Sequence, residues 1–304
     1  MYSDESESTK PALVLIGGWI SEVDLWAELS VQWKAILNQY GVEYFHAHSF
    51  RNARDPKYRH LSKHDREHFL ISLLMLIKRY AKFGQVAWAK PGVYNYFTTK
   101  EFRARHGSVY ATLVGQAFAL AGIHVTYDCK REQTVSFFLE SGHKHAKEAL
   151  QFVDQYKVLS TAPPKDVEIV GTVGNSGLAF SPFKVGAFGF GSKREMMPLQ
   201  AADILAYCSL CLRKNSKDPY ARALLSAIGL PIFVRCLDKE AILGMVELLN
   251  RTDREEVKIQ HNRRRQIKQL KALGLPFEVL PDRLSVQIPD DPDLERKVRE
   301  IIDE

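Results

Sequence analysis

This 304-residue sequence predicts an α/β fold in which helices cover a mixed sheet. Three observations lead there. Two strand-like runs open the chain around a short polar turn, as in a hairpin. Strand-like and helix-periodic segments then alternate, the pattern of a layered sheet-and-helix domain. The apolar share of 45% is that of an ordinary globular protein, and no internal repeat or low-complexity tract interrupts it.

The elements follow in order. Tyr2 to Ser6 and Ala12 to Ile20 read as the first two strands, joined by Glu7-Ser8-Thr9-Lys10-Pro11. Between Asp24 and Tyr40, Leu25, Leu29, Trp33, Ile36, Leu37 and Tyr40 recur at helical spacing, and Gly41 supplies a stop. Val42 to His46 reads as a third strand. Ser62, with Asp65 three residues on, opens a helix that runs through Leu70, Leu73, Leu74 and Ile77 to Tyr80. Gln85 to Ala89 is a strand, Ser108 to Gly122 a helix, Thr134 to Glu140 a strand, His143 to Tyr156 a helix and Phe183 to Phe188 a strand. Pro198 to Leu212 is a helix with proline in its first turn. The glycines at 171, 174 and 177 and at 186, 189 and 191 lack the spacing of a nucleotide cradle and read as loops. There is no Gly-x-Ser-x-Gly elbow.

Pro163-Pro164-Lys165 and Asn215-Ser216-Lys217-Asp218-Pro219 are the clearest breaks, and the second divides a domain over 1–215 from a region over 216–304. That region reads as α-rich. Tyr220 to Ile228, Lys239 to Asn250 and Asp293 to Glu304 are helical, with a hairpin over Phe277 to Ile288. Arg251 to Lys271 carries eight Lys/Arg against three acids, a solvated face or a phosphate-binding one.

The formal charge of +6 favours anionic partners such as nucleic acid. Among the four cysteines, Cys208 and Cys211 form a C-x-x-C on a helix without a second pair. Zinc needs about four ligands, so these read as buried thiols of a reducing compartment. The N-terminus is acidic and no apolar run approaches the roughly 20 residues of a membrane helix. The expectation is a soluble, cytoplasmic protein, with nucleic acid as partner and no membrane.

Three carboxylates stand out. Asp203 is the sole charge in Met196 to Cys208, Asp4 lies in the opening strand, and Glu140 ends an apolar strand. An uncompensated carboxylate in such surroundings is costly to bury. Gathered together, the three make a site of hard oxygen ligands suited to Mg²⁺ or Mn²⁺. Two of them have a plainer reading: Asp203 on an exposed polar stripe with Gln200 and Tyr207, and Glu140 as a strand-end acid facing water; Glu5, on the other face of the strand from Asp4, reads as a solvated or salt-bridged acid.

The opening Tyr2-Ser3-Asp4-Glu5-Ser6, the segment Phe45-His46-Ala47 and the run Leu199-Gln200-Ala201-Ala202-Asp203-Ile204-Leu205-Ala206-Tyr207 together resemble the domain-of-unknown-function 3800 family. The resemblance spans roughly Tyr2 to Arg213. It implies a ribonuclease H-like fold, with the first strand central and one of its acids facing a metal site. Two departures stand against it. Glu7 occupies the place of a glycine, and Glu140 that of an aspartate-bearing segment. On this resemblance Asp4, Glu140 and Asp203 hold Mg²⁺ or Mn²⁺, and His46 orients a phosphate or moves a proton. A pair of such ions roughly 3.5–4 Å apart would clamp the attacking and leaving oxygens of a phosphodiester. The expected function is a metal-dependent nuclease-like hydrolase of RNA or DNA. The alternative is a non-catalytic nucleic-acid-binding or regulatory protein on the same fold.

Five of the ten histidines lie between His46 and His68. They read either as a polar surface or as a transition-metal site supporting another kind of hydrolase. The same span carries Arg51, Arg54, Lys57, Arg59, Lys63 and Arg66 with Tyr58 among them, a solvated face or a phosphate-binding one.

Overall fold

The structure of the protein is a computed structural model that describes residues 1–9, 12–52, 55–129, 134–151, 170–172, 177–179, 184–272, 277–279 and 284–286. The expected Pro163–Lys165 break and the terminal helix from Asp293 lie outside the described residues, as does the end, 152–156, of the helix expected from His143 to Tyr156. Contacts divide the chain into two units, Met1–Gly244 and Met245–Glu304.

The first unit is built on a sheet. Strands β1 (Tyr2–Thr9) and β2 (Ala12–Ile20) pair antiparallel with Asp4 opposite Gly17. Helix α1 (Val23–Gln39) buries Trp26, Leu29, Trp33 and Leu37. Helix α2 (Ala47–Arg51) and a 3₁₀ turn (Pro56–Tyr58) lead to α3 (Lys63–Tyr80), where Ser62 Oγ accepts from Asp65 N at 3.1 Å as the N-cap. Strand β3 (Phe83–Ala89) pairs antiparallel with β2. Helices α4 (Pro91–Phe97), α5 (Lys100–His106) and α6 (Val109–Cys129) come next. Strand β4 (Thr134–Glu140) pairs parallel with β1, setting Ser3 opposite Leu139. Residues 146–151 are helical.

Strands β5 (Val170–Thr172) and β6 (Gly177–Ala179) form a small separate hairpin. Strand β7 (Lys184–Gly191) pairs parallel with β4. Helix α7 (Met197–Lys214), helix α8 (Pro219–Ile228) and strand β8 (Ile232–Leu237) follow. Helix α9 (Lys239–Ala272) runs into the second unit, whose strands β9 (Phe277–Val279) and β10 (Leu284–Val286) form an antiparallel hairpin.

The sheet order is β7-β4-β1-β2-β3-β8. Eight of the nine β2 residues are buried, so both faces of the sheet are covered there. Leu15, Trp19 and Val86 join Trp33, Leu73, Ile204 and Leu205 in one core under α1, α3 and α7. Gln85, next to Val86 and so on the opposite face, donates to Ala117 O of α6 at 2.5 Å. The α7 backbone seats directly on β2, since a Cβ on Gly17 would lie 2.9 Å from Ala206 Cα. Only glycine permits that approach.

Several expectations are corrected. Val42 to His46 is not a strand. Phe45 N donates to Gln200 Oε1 at 2.8 Å and His46 N to Tyr58 Oη at 3.0 Å, so side chains take the bonds a ladder would have used. Glycines 186, 189 and 191 lie within β7, not in a loop. The sheet does not end at the Asn215–Pro219 break, because β8 pairs along its whole length with β3. The region over 216–304 therefore contributes an edge strand to this sheet.

Candidate functional site

Asp4, Glu140 and Asp203 converge on one residue the sequence reading passed over. Lys193 Nζ lies 2.9 Å from Asp4 Oδ2, 2.7 Å from Glu140 Oε2 and 3.2 Å from Asp203 Oδ1. Three oxygens on a common nitrogen at those distances stand within about 6 Å of one another. Among the described residues no group of three His, Cys, Asp or Glu side chains is spaced to enclose an ion. The position a cation would take among these acids is held by the Lys193 ammonium.

Local structure explains the convergence. The parallel pairing of Ser3 with Leu139 brings the next residues, Asp4 and Glu140, to the same level of adjacent strands. Glu140 is opposite Gly191 at the end of β7, and Lys193 follows two residues later. Asp203 comes from the second turn of α7, which Gly17 lets sit against β2 beneath Asp4.

Gln200 fastens the surrounding loops to α7. Its Oε1 accepts from Trp33 Nε1 and Phe45 N, both at 2.8 Å, and its Nε2 donates to Lys193 O at 2.6 Å. Gln200 and Asp203 are both buried. The exposed polar stripe considered for α7 is therefore wrong at these two positions. Asp203 Oδ2 also accepts from Ala47 N at 2.6 Å, joining α7 to the start of α2.

The electrostatics are unbalanced. Three carboxylates face one ammonium, so with all groups ionised the cluster carries two uncompensated negative charges in a largely dry place. Burial, and then the Asp203 carboxylate, push the Asp4 carboxyl well above the usual range against the pull of Lys193. Asp4 Oδ2 meets Lys193 without hydrogen-bond alignment, and Asp4 Oδ1 has no hydrogen-bond partner among the described residues. Burial would lower the Lys193 ammonium, but Asp4, Asp203 and Glu140 outweigh it and hold it above its ordinary value.

Glu5 is half-buried and not the solvated acid considered above. Burial, and next the Glu140 carboxylate, raise it to about 7. Its Oε2 and the Tyr110 hydroxyl are likewise buried without a hydrogen-bond partner among the described residues. The Tyr110 ring stacks on His143, whose Nε2 lies 3.2 Å from Glu7 Oε1.

His46 is at the margin. Its Nδ1 meets Ser49 Oγ at 3.0 Å, and burial lowers its basicity while Asp203 opposes that shift. Of the other histidines of the cluster, His48 is near it, with ring centres 6.2 Å apart, and the rest are engaged elsewhere. His48 lies against Tyr207 (6.0 Å between ring centres), His60 Nε2 meets Tyr40 O at 2.8 Å, and His64 and His68 pair with each other on α3. Cys208 is a buried free thiol, as expected, whereas Cys211 is free but only half-buried.

The donor set suits a hard divalent cation: three carboxylates from three elements, one with an orphaned buried oxygen. Lys193 would have to swing aside. No helix among the described residues is long and apolar enough to cross a membrane. No protein-family model, curated protein or solved structure matches the chain.

Proposed function

We propose that this chain is a metal-dependent nuclease-like hydrolase of phosphodiesters in RNA or DNA, on a ribonuclease H-like sheet of the kind found in the domain-of-unknown-function 3800 family. One observation carries the reading: carboxylates from β1, β4 and α7 meet on a single cation position, 2.7–3.2 Å from Lys193 Nζ. The central place of β1 in the sheet supports the fold assignment.

Asp4, Glu140 and Asp203 would hold Mg²⁺ or Mn²⁺, which when bound supplies positive charge to a phosphodiester's oxygens. The chain's own groups do the rest. The three carboxylates would hold the cation at the position the Lys193 ammonium occupies. His46, half-buried and of lowered basicity, accepts or returns a proton at its imidazole near Asp203. Gln200 holds the Phe45 and Lys193 backbones in register with α7.

The test is cleavage of end-labelled single-stranded RNA and DNA with Mg²⁺ or Mn²⁺. Asp203→Asn, which keeps an oxygen for Ala47 N, is expected to stay folded by circular dichroism and to lose at least about 100-fold of the activity. Even outer-shell partners of a metal cost roughly 10–100-fold. Cleavage undiminished in Asp203→Asn, or absent from the parent protein with both probes and both ions, contradicts the proposal.

A second reading has one observation in its favour. Lys193 already fills the cation position, so the site could be a permanent internal ion cluster in a nucleic-acid-binding or regulatory protein that does no chemistry. Calorimetric silence toward Mn²⁺ in both the parent and Lys193→Met would select it.

A further inference from the structure

We infer that the cavity between the α2 end, the 3₁₀ turn and the start of α3 is a second binding site, which takes phosphate and base groups of a single-stranded nucleic acid running out from the carboxylate cluster. It rests on the nucleic-acid reading above and adds where the strand lies. The cavity, about 480 Å³, is lined by Arg51, Arg59, Lys63 and Arg66 with the rings of Tyr58 and Tyr220, and Glu67 is the one acid among its lining residues.

Two features suit this ligand. Two of the four cations, Arg51 and Arg66, are held in place by aromatic faces. The Arg51 guanidinium stands 5.1 Å over the Tyr220 ring, and that of Arg66 is 4.7 Å from the Phe50 ring and 5.7 Å from the Tyr58 ring. Arg51 is also fixed by Asp218 at 3.0 Å, and Arg66 donates to Phe50 O. Guanidinium forks already ordered in this way match phosphate oxygens at little further entropic cost. Tyr220, half-buried at the rim, offers ring surface to a base, the sequence-tolerant element of single-strand binding.

Side-chain contacts also lead from the cavity toward the first site. Arg51 Nη1 lies 3.5 Å from Tyr207 Oη, and Tyr207 is one helical turn beyond Asp203 on α7. His48 packs against the same tyrosine ring. A strand whose scissile phosphate sat at Asp203 would pass Tyr207 and reach the cavity within a short stretch of backbone.

The experiment is fluorescence anisotropy of a fluorescein-labelled 12-nucleotide oligo-U in EDTA, where no divalent ion is present and nothing is cleaved. The Arg59→Glu, Lys63→Glu double variant reverses two exposed lining charges. Its control, Lys34→Glu with Lys78→Glu, makes the same change in net charge at two exposed lysines outside the cavity. The cavity pair is expected to weaken binding at least about 10-fold. It should also flatten the plot of log affinity against log salt by about 1.4, from two lost single-strand phosphate contacts. The control pair should change affinity less than about 3-fold.

Equal losses in the two pairs, no loss in either, or no binding by the parent protein overturns the inference. So does a labelled poly-glutamate of equal charge that binds as well and is lost in parallel, since the ligand would then be any acidic chain. Because no divalent ion takes part, failure of the metal site leaves this result untouched. Failure here leaves the cleavage test of Asp203→Asn standing.

Discussion

At the scale of single residues, Lys193 decides how the carboxylates should be understood. A buried ion pair is not by itself a stabilising device, but removing one partner exposes the uncompensated charge of the other. Lys193→Met keeps the length of the side chain and removes the ammonium. It is expected to destabilise the metal-free protein by about 3–5 kcal/mol, the usual cost of breaking a buried pair. Thermal unfolding with and without Mn²⁺ checks this. Added Mn²⁺ should raise the unfolding temperature more in Lys193→Met than in the parent, because ligand linkage acts on an emptied site. An unfolding temperature unmoved by the substitution and by Mn²⁺ would show that the acids do not need a cation.

Lys193 is also the residue that sequence reasoning missed. Glu140 and Asp203 could be picked out because each is the lone charge of an apolar segment, and Asp4 because it lies in the opening strand. A lysine between Ser192 and Arg194 looks like any surface cation. Only the pairing of β4 with β7, which sets Glu140 opposite Gly191, turns it inward. Gln200 was visible as a polar residue on α7 but was given to a solvent stripe. Its buried hydrogen bonds reach Trp33 on α1 and the loop backbones of Phe45 and Lys193, partners that the periodicity of α7 alone does not reveal.

At the scale of elements, the site depends on how closely α7 lies on β2. Gly17→Ala would put a methyl group 2.9 Å from Ala206 Cα, a backbone atom that cannot move without the helix. The substitution is expected to cost about 1–3 kcal/mol, as overpacking does, and to weaken Mn²⁺ binding by displacing Asp203 from Asp4. Calorimetric titration beside chemical unfolding checks both. A variant that loses stability while keeping Mn²⁺ affinity would show that the site does not depend on this contact.

The strands and helices with strong periodicity were readable. The 134–140 strand matches its expected bounds, and α1, α3 and α7 differ from theirs by a residue or two. The failures share a cause. The segment Val42–His46 has strand-like residues, but Phe45 N and His46 N donate to side chains of Gln200 and Tyr58, and Val42 N to Leu37 O at the end of α1. Strand β8 is short, half-exposed and at the sheet edge, so no alternation marks it. The short helices α4 and α5 fall between stronger signals.

At the scale of the whole molecule, the formal charge of +6 contrasts with a buried cluster in which acids outnumber their lysine partner three to one. On the proposed reading, positive residues elsewhere would draw in a polyanion, while the cluster would take a phosphodiester only with added positive charge. The cationic cavity by α3 and the carboxylate cluster would then have complementary tasks, one for the strand and one for the cation. That division follows from sheet order and from residues nearly two hundred positions apart, which is why composition alone suggested an anionic partner but not where it would bind.

The central claim is that Asp4, Glu140 and Asp203 form a cation position that a divalent ion can take from Lys193. Anomalous diffraction from a crystal soaked in Mn²⁺ tests it most directly. The account predicts a manganese peak roughly 2.0–2.6 Å from oxygens of these three residues, with Lys193 Nζ withdrawn from among them. Lys193 Nζ still bridging all three carboxylates at saturating Mn²⁺, with no peak beside them, would contradict it.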